Sequence, residues 1–211
     1  MSQAPKYRRR AEARPDEILD AALALFTRKG FAQTRVEEIA RAAGLSKGAV
    51  YLYFPSKEAL LEGLVRRAVA PVARRVVAEL EAGAAEPRAA LARVLGAIAT
   101  ALGDPGTVAV PMLVIREAPG VPSIARIYRE EVLSRVIPAL AGLLDRARRE
   151  GAIRDIDPEL GLRSVIGAMI AHLLLARVFG IVPAGGLQLE RLVETHLDIL
   201  FKGLEPRKDM P

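Results

Sequence analysis

The chain has 211 residues, of which 51% are hydrophobic and 4% aromatic, and its net charge is +6. This apolar content allows a sizeable aliphatic core and excludes a wholly disordered chain. The absence of cysteine excludes disulfides and thiolate metal sites, and it fits a reducing compartment. The polar N-terminus has no signal-peptide pattern, and the most apolar stretch, 165–182, is short for a membrane span. We therefore expect a soluble, cytoplasmic protein.

The charge is unevenly distributed along the chain. Residues 1–67 hold 13 Lys or Arg against 8 Asp or Glu, whereas the remainder holds 18 against 17. The positive potential therefore lies on the first third, where a polyanion is expected to bind. A solvated basic tail is the alternative, because Arg8–Arg10 supply three of these charges.

Helical periodicity in the first third predicts three short elements. The first runs from Pro15 to Lys29, with the proline in its first turn and Gly30 as the C-terminal cap. Thr34 opens a second helix, because Glu37 follows at the spacing of a capping box. After the stop at Gly44, Ser46 caps a third helix over residues 47–53.

The rest of the chain also shows helical patterns and no strand-like alternation. A fourth helix is predicted from Lys57 into the eighties with a bend at Pro71, and another over 122–150 with a kink near Pro138. The remaining predicted helices are 87–103, 106–118, 158–180 and 188–203. We predict an all-α fold of about nine helices, with a head at 1–56 and a larger helical body at 57–211 joined by the shared fourth helix.

The second and third helices meet the demands of a helix-turn-helix. Counting from Val36, Ala40 supplies the small residue at the crossing and Gly44 the residue that tolerates positive φ. Leu45 then packs beneath the turn, and Val50 anchors the second helix. An ordinary helical hairpin is the alternative interpretation.

The run GFAQTRVEEIARAAGLSKGAVYLYFPSKEALL, residues 30–61, resembles the N-terminal signature of TetR-type transcription regulators. Arg35 is the one departure, at a position where a second Thr is common. The matching residues are Gly30-Phe31, Thr34, Ile39-Ala40, Ala43-Gly44-Leu45-Ser46, Gly48, Tyr51, Tyr53-Phe54, Ser56-Lys57-Glu58 and Leu60-Leu61.

The resemblance implies that helix 47–53 lies in the major groove of operator DNA. Lys47 is the candidate for a base or phosphate contact, and the Ala49 methyl for contact with a thymine methyl. Packing on the first helix is the alternative for Tyr51, and the arm Lys6–Arg14 either enters a minor groove or stays solvated. The full set of candidate DNA-binding residues is Thr34, Arg35, Ser46, Lys47, Gly48, Ala49, Tyr51, Tyr53 and Lys57.

The resemblance also implies a homodimer and an effector pocket in the body. Helix 158–180 is apolar on more than one face, so it and helix 188–203 are expected to form the seam with a second subunit. A thick monomeric core is the alternative. The effector candidates are Met112, Arg116, His172 and Phe179, each of which also has a structural explanation, and the scarcity of aromatics favours a mainly apolar small molecule.

The sequence offers no catalytic constellation. The two histidines are not at metal-ligand spacing, and no glycine-rich phosphate loop follows a strand. We therefore expect no enzyme activity, no metal and no cofactor. The leading function is a repressor that a small molecule releases from its operator. An effector-independent or activating regulator and a non-specific architectural DNA-binding protein are the alternatives.

Overall fold

The computed structural model describes residues 6–81 and 86–204, with side chains from residue 14 onward. Within these ranges the chain forms eleven α-helices and a π-helical turn, and no strand, so the predicted all-α fold is confirmed. The helices are α1 Lys6–Lys29, α2 Val36–Ala42, α3 Lys47–Tyr53, α4 Lys57–Ala68, α5 Ala70–Glu81, α6 Pro87–Gly103, α7 Pro105–Glu117, α8 Pro122–Tyr128, α9 Ser134–Arg149, α10 Pro158–Arg177 and α11 Leu189–Leu204, with the π turn at Arg129–Leu133.

The observed helices differ in detail from the predicted ones near three prolines. Helix α1 begins before Pro15, which lies inside the helix and not in its first turn. The fourth predicted helix breaks at Val69, two residues before Pro71, whose missing N–H cannot continue the α4 ladder. The predicted helix 122–150 is interrupted by the π turn at Arg129–Leu133, and Pro138 lies inside α9, one turn further on.

Contacts divide the chain into two compact units. The first holds the residues up to Ala70 together with Ala109–Glu131, so it contains α1–α4, α8 and the end of α7. Helix α1 packs on α2 and α4, and α4 packs on α8. This unit includes helices that the predicted boundary at residue 56 assigned to the body. Its fully buried side chains include Ile18, Phe26, Phe31, Ile39, Leu60, Leu61, Leu64 and Ile124.

The second unit holds Pro71–Val108 and the chain from Val132 onward. Helix α6 packs on α11, and α9 packs on α10. Helix α10 is long and apolar enough to span a membrane by length and composition, a property it shares with the core helices of soluble proteins. It packs against α6, α9 and α11. The buried side chains of this unit include Leu91, Leu95, Leu140, Leu144, Val165 and Met169.

Candidate nucleic-acid interface

The connection between α1 and α2 is closed by hydrogen bonds that involve Thr34. Its side chain is 1% exposed, and its hydroxyl donates to the Gly30 carbonyl oxygen at 2.8 Å. Helix α2 begins one residue later than predicted, because the Arg35 N–H donates to Oε2 of Glu38 at 3.1 Å. The predicted Thr34–Glu37 capping box is therefore wrong by one residue. Thr34 is thus buried in this connection, and its place among the DNA-binding residues stays a prediction.

The turn between α2 and α3 has the geometry that the sequence predicted. Ala40 is buried where the helices cross, and Gly44 adopts a φ of +68°. The Leu45 N–H donates to the Ala40 carbonyl at 2.8 Å, while the Leu45 side chain is half-buried. Val50 is fully buried and fixes α3 against the first unit's core. The helix-turn-helix therefore turns the opposite face of α3 outward.

That opposite face carries most of the predicted DNA-binding residues. Ser46, Lys47 and Gly48 are exposed, Ala49 is half-buried, and the Ser46 Oγ accepts the Ala49 N–H at 3.2 Å. Tyr51 is 41% exposed and Tyr53 is half-buried. Leu52, at the end of the segment Lys47–Leu52 on which the choice of operator sequence was expected to depend, is 85% exposed.

Arg35 is exposed at the N-cap of α2, close in sequence to this face. The arm Lys6–Arg14 forms the start of α1. Apart from Arg14, its side chains lie outside the described residues, so its assignment stays a prediction.

Gly48 has space around it that the protein itself leaves unused. A Cβ built at this position would meet only the Ser46 Oγ, at 4.0 Å, and the φ of Gly48 lies outside the left-handed region. Alanine favours helices more than glycine does, so the fold alone gives no reason for glycine here. A close external surface, such as the edge of a base pair, would give one.

Lys47 is held by two neighbours in the free protein. Its ammonium forms an ion pair with the Glu37 carboxylate of α2 and lies 5.7 Å from the centre of the Tyr51 ring. The hydrogen bond from Lys47 lowers the pKa of Glu37, and the same bond raises the pKa of Lys47. The sequence analysis did not identify Glu37 as a partner of Lys47, because the two residues are ten positions apart on either side of a turn.

Lys57 has a structural role inside the first unit. Its ammonium donates to the carbonyl oxygens of Phe31, Ala32 and Thr34 at 2.9, 3.1 and 3.3 Å. It also lies 4.6 Å from the centre of the Phe31 ring. In the free protein the Lys57 ammonium therefore has three acceptors, one for each N–H group, and its place among the DNA-binding residues stays a prediction.

The end of α7 holds the end of α1. The Arg116 guanidinium donates to the carbonyl oxygens of Phe26 and Thr27 at 2.8 and 3.1 Å, and to Oε1 of Glu117 at 2.8 Å. A cation is favoured at this position because the carbonyls at a helix C-terminus carry partial negative charge. Arg116 therefore acts as a helix cap in the free protein, and its place among the effector candidates stays a prediction.

The other three effector candidates belong to different units. Met112 belongs to the first unit, whereas His172 and Phe179 belong to the second. The His172 Nε2 lies 2.8 Å from the Leu187 carbonyl oxygen, and Phe179 is 68% exposed. The second unit has an open cleft of about 1060 Å³ along α6 and the start of α11, which none of the four candidates lines. Charged residues of both signs line it, including Arg75, Glu79, Arg93, Glu190, Arg191 and Glu194.

Two family models match the chain. Residues 18–64 match "Bacterial regulatory proteins, tetR family", and residues 86–195, about half of the chain, match "Tetracyclin repressor-like, C-terminal domain".

Individual proteins extend this similarity to almost the whole chain. The HTH-type transcriptional regulator EthR of Mycolicibacterium smegmatis is 27% identical over 208 residues, which cover 96% of this chain and 93% of the relative. A TetR-family regulator of Mesorhizobium loti, solved by crystallography, has a TM-score of 0.69 at 25% identity, covering 92% of this chain and 97% of that one. The flavonoid-responsive regulator FrrA has a TM-score of 0.63 at 27% identity, covering 93% and 99%.

Proposed function

Since this chain belongs to the tetR family of bacterial regulatory proteins, we propose that it is a transcription regulator that binds operator DNA as a homodimer. The observation that carries the proposal is the outward face of α3, where exposed Lys47 and Gly48 follow a helix-turn-helix turn. A relative that matches nearly the whole chain is named an HTH-type transcriptional regulator. The proposal includes no catalytic step and no cofactor, and such a regulator works in the cytoplasm with the chromosome.

The residues of α3 divide into two roles in this proposal. Lys47, Gly48 and Ala49 approach base edges in the major groove, because the first residues of a recognition helix lie deepest there. Ser46, Tyr51 and Tyr53 donate hydroxyl hydrogen bonds to phosphates, and Arg35 adds a cation beside them. Phosphate contacts fix the position of the head, while base contacts select the sequence.

An exposed stripe along α10 supports the homodimer. The positions Leu160, Ser164, Ala171, Leu175 and Val178 are exposed and recur at spacings typical of a helical seam. Gly167 lies in the same stripe, and a Cβ there would meet no atom within 4 Å. Ile199, on α11, is also exposed. A second copy that covers this stripe would bury apolar surface and bring two heads to one DNA duplex.

We further propose that a small, mainly apolar effector releases the protein from its operator, so that it acts as a repressor. The name of FrrA, a flavonoid-responsive regulator, supports the response to a small molecule. An effector changes the affinity for DNA only by its differential affinity for the two states of the dimer. Two probes are compared: a long-chain aliphatic molecule, because the chain has few aromatic residues, and a flavonoid, because of the name of FrrA. The expected result is that one of the two lowers operator affinity.

Selection of bound duplexes from a random DNA pool tests the proposal. We expect one palindromic sequence whose half-sites lie about 34–36 Å apart, one helical turn, or a multiple of this distance. If no sequence is enriched, and salt weakens binding to all duplexes alike, the protein is instead an architectural DNA-binding protein. Failure to bind any duplex would overturn the proposal.

A further inference from the structure

The ion pair between Glu37 and Lys47 lies on the proposed DNA-binding face. Glu37 is the second residue of α2 and Lys47 the first residue of α3. Their side chains are 49% and 50% exposed, so both groups face solvent beside Gly48. Among the residues of α3, Lys47 is the only one that carries a charge. The recognition helix therefore presents its one cation already paired with a carboxylate.

This pairing affects contacts with phosphate more strongly than contacts with bases. To bind a phosphate, Lys47 must exchange the carboxylate for another anion, and the Glu37 charge is left near the DNA backbone. The remaining carboxylate repels the phosphates and cancels part of the gain from counterion release. A guanine edge offers two neutral acceptors, O6 and N7, and a cytosine N4 amino group can donate to the carboxylate itself.

We propose that Glu37 is a specificity-determining residue, which lowers the affinity for non-cognate DNA by withdrawing Lys47 from the phosphates. The inference rests on the proposed function, because it assumes that α3 faces DNA. It assigns a role to a carboxylate on a basic surface, where attraction alone would favour a neutral or positive residue. The preference for operator DNA arises here because the Glu37 carboxylate weakens binding to non-cognate DNA.

The chain offers a matched control in the neighbouring residue. Glu38 carries the same charge but forms an ion pair with Lys29 and accepts the Arg35 N–H, and no contact links it to Lys47. Glu37→Gln and Glu38→Gln therefore make the same change in net charge one residue apart. The dissociation constants of both variants are measured for the selected operator and for a random-sequence duplex, over a series of salt concentrations.

We expect Glu37→Gln to bind the random duplex about fivefold more tightly, with a salt dependence steeper by about one unit of slope. Its operator affinity changes less, so the ratio of specific to non-specific affinity falls by about threefold or more. Glu38→Gln should leave this ratio at the wild-type value, and Glu37→Asp should restore it. Thermal unfolding confirms that each variant is folded.

A second background separates the pair from a general charge effect. In Lys47→Met protein, Glu37→Gln should no longer change the ratio, because the ammonium that Glu37 withdraws is gone. The inference is overturned if both glutamine variants change the ratio alike, or if the effect of Glu37→Gln persists without Lys47. If the wild-type protein binds no DNA, the proposed function fails first and the inference fails with it.

Discussion

The backbone N–H of Phe31 donates a hydrogen bond to Oε2 of Glu117 at 3.0 Å, across 86 residues of sequence. Phe31 follows the C-terminal cap of α1, and Glu117 is the last residue of α7. The Glu117 carboxylate also accepts from Arg116, which itself caps α1. The connection that leads into the helix-turn-helix is thus fixed by two adjacent charged residues of a later helix.

Glu117→Ala should destabilise the first unit, because the Phe31 N–H would lose its acceptor at a site where the carboxylate is only 14% exposed. We expect a loss of about 1–3 kcal/mol in the free energy of unfolding. Chemical denaturation followed by circular dichroism measures it. Glu117→Gln keeps an acceptor oxygen without the charge, so its loss should be smaller. Equal stability of both variants and the wild type would contradict the role of this hydrogen bond.

Gly48→Ala should separate folding from DNA binding. The open space around Gly48 admits a methyl group, so the variant should be as stable as the wild type or more stable by up to about 1 kcal/mol. Its operator affinity should fall by about tenfold or more, because the methyl group would hold α3 away from the bases. Calorimetry and fluorescence anisotropy measure the two quantities.

The matched control for this change is Gly96→Ala in α6. A Cβ at Gly96 also meets no atom within 4 Å. This variant should gain helix stability and keep its operator affinity. A Gly48→Ala protein that binds DNA as tightly as the wild type would remove the argument that an external surface requires glycine.

Lys57→Met should weaken operator binding through the fold. The three carbonyl oxygens that Lys57 satisfies would lose their charged donor, at a cost of about 1–3 kcal/mol in unfolding free energy. The slope of log affinity against log salt should stay at the wild-type value, because no phosphate contact is removed. A slope flatter by about 0.9 would show that the ammonium binds a phosphate after all.

Ala171→Glu should disrupt the proposed dimer, because Ala171 lies at the centre of the exposed stripe of α10. Sedimentation velocity should find a folded monomer. Operator affinity should fall by about a hundredfold or more, because a monomer binds with one head where the dimer binds with two linked heads. Ala78→Glu, at an exposed position of α5, is the control that should remain dimeric. A dimeric Ala171→Glu protein would place the seam elsewhere.

The sequence predicted the elements whose signals are local. Helix α3 occupies the predicted residues, since Ser46 caps its start and Gly44 ends the helix before it. The buried side of the helix-turn-helix was also predictable, because Ala40 and Val50 occupy fixed positions in the pattern counted from Val36. The start of α1 was not, because its periodic apolar pattern begins only at Ile18, although the helix extends further back.

Roles that depend on distant partners could not be predicted. Arg116 and Lys57 have the charge expected of ligand- or DNA-binding residues. Both donate hydrogen bonds to backbone carbonyl oxygens of the α1–α2 region. Nothing in the local sequence of either residue indicates those partners, which lie 90 and 26 residues away. The same holds for Glu37, whose local pattern indicates only a helix start.

The π turn between α8 and α9 has a consequence for comparing this chain with its relatives. Buried positions follow one another at three or four residues on either side of it, but the step from Ile127 to Val132 is five. A relative with an uninterrupted α-helix here would reach the same inward positions with one residue fewer. Alignments should therefore open a single-residue gap within Arg129–Leu133. Without that gap, Glu131 and Arg135 would be paired with residues that are apolar in such a relative.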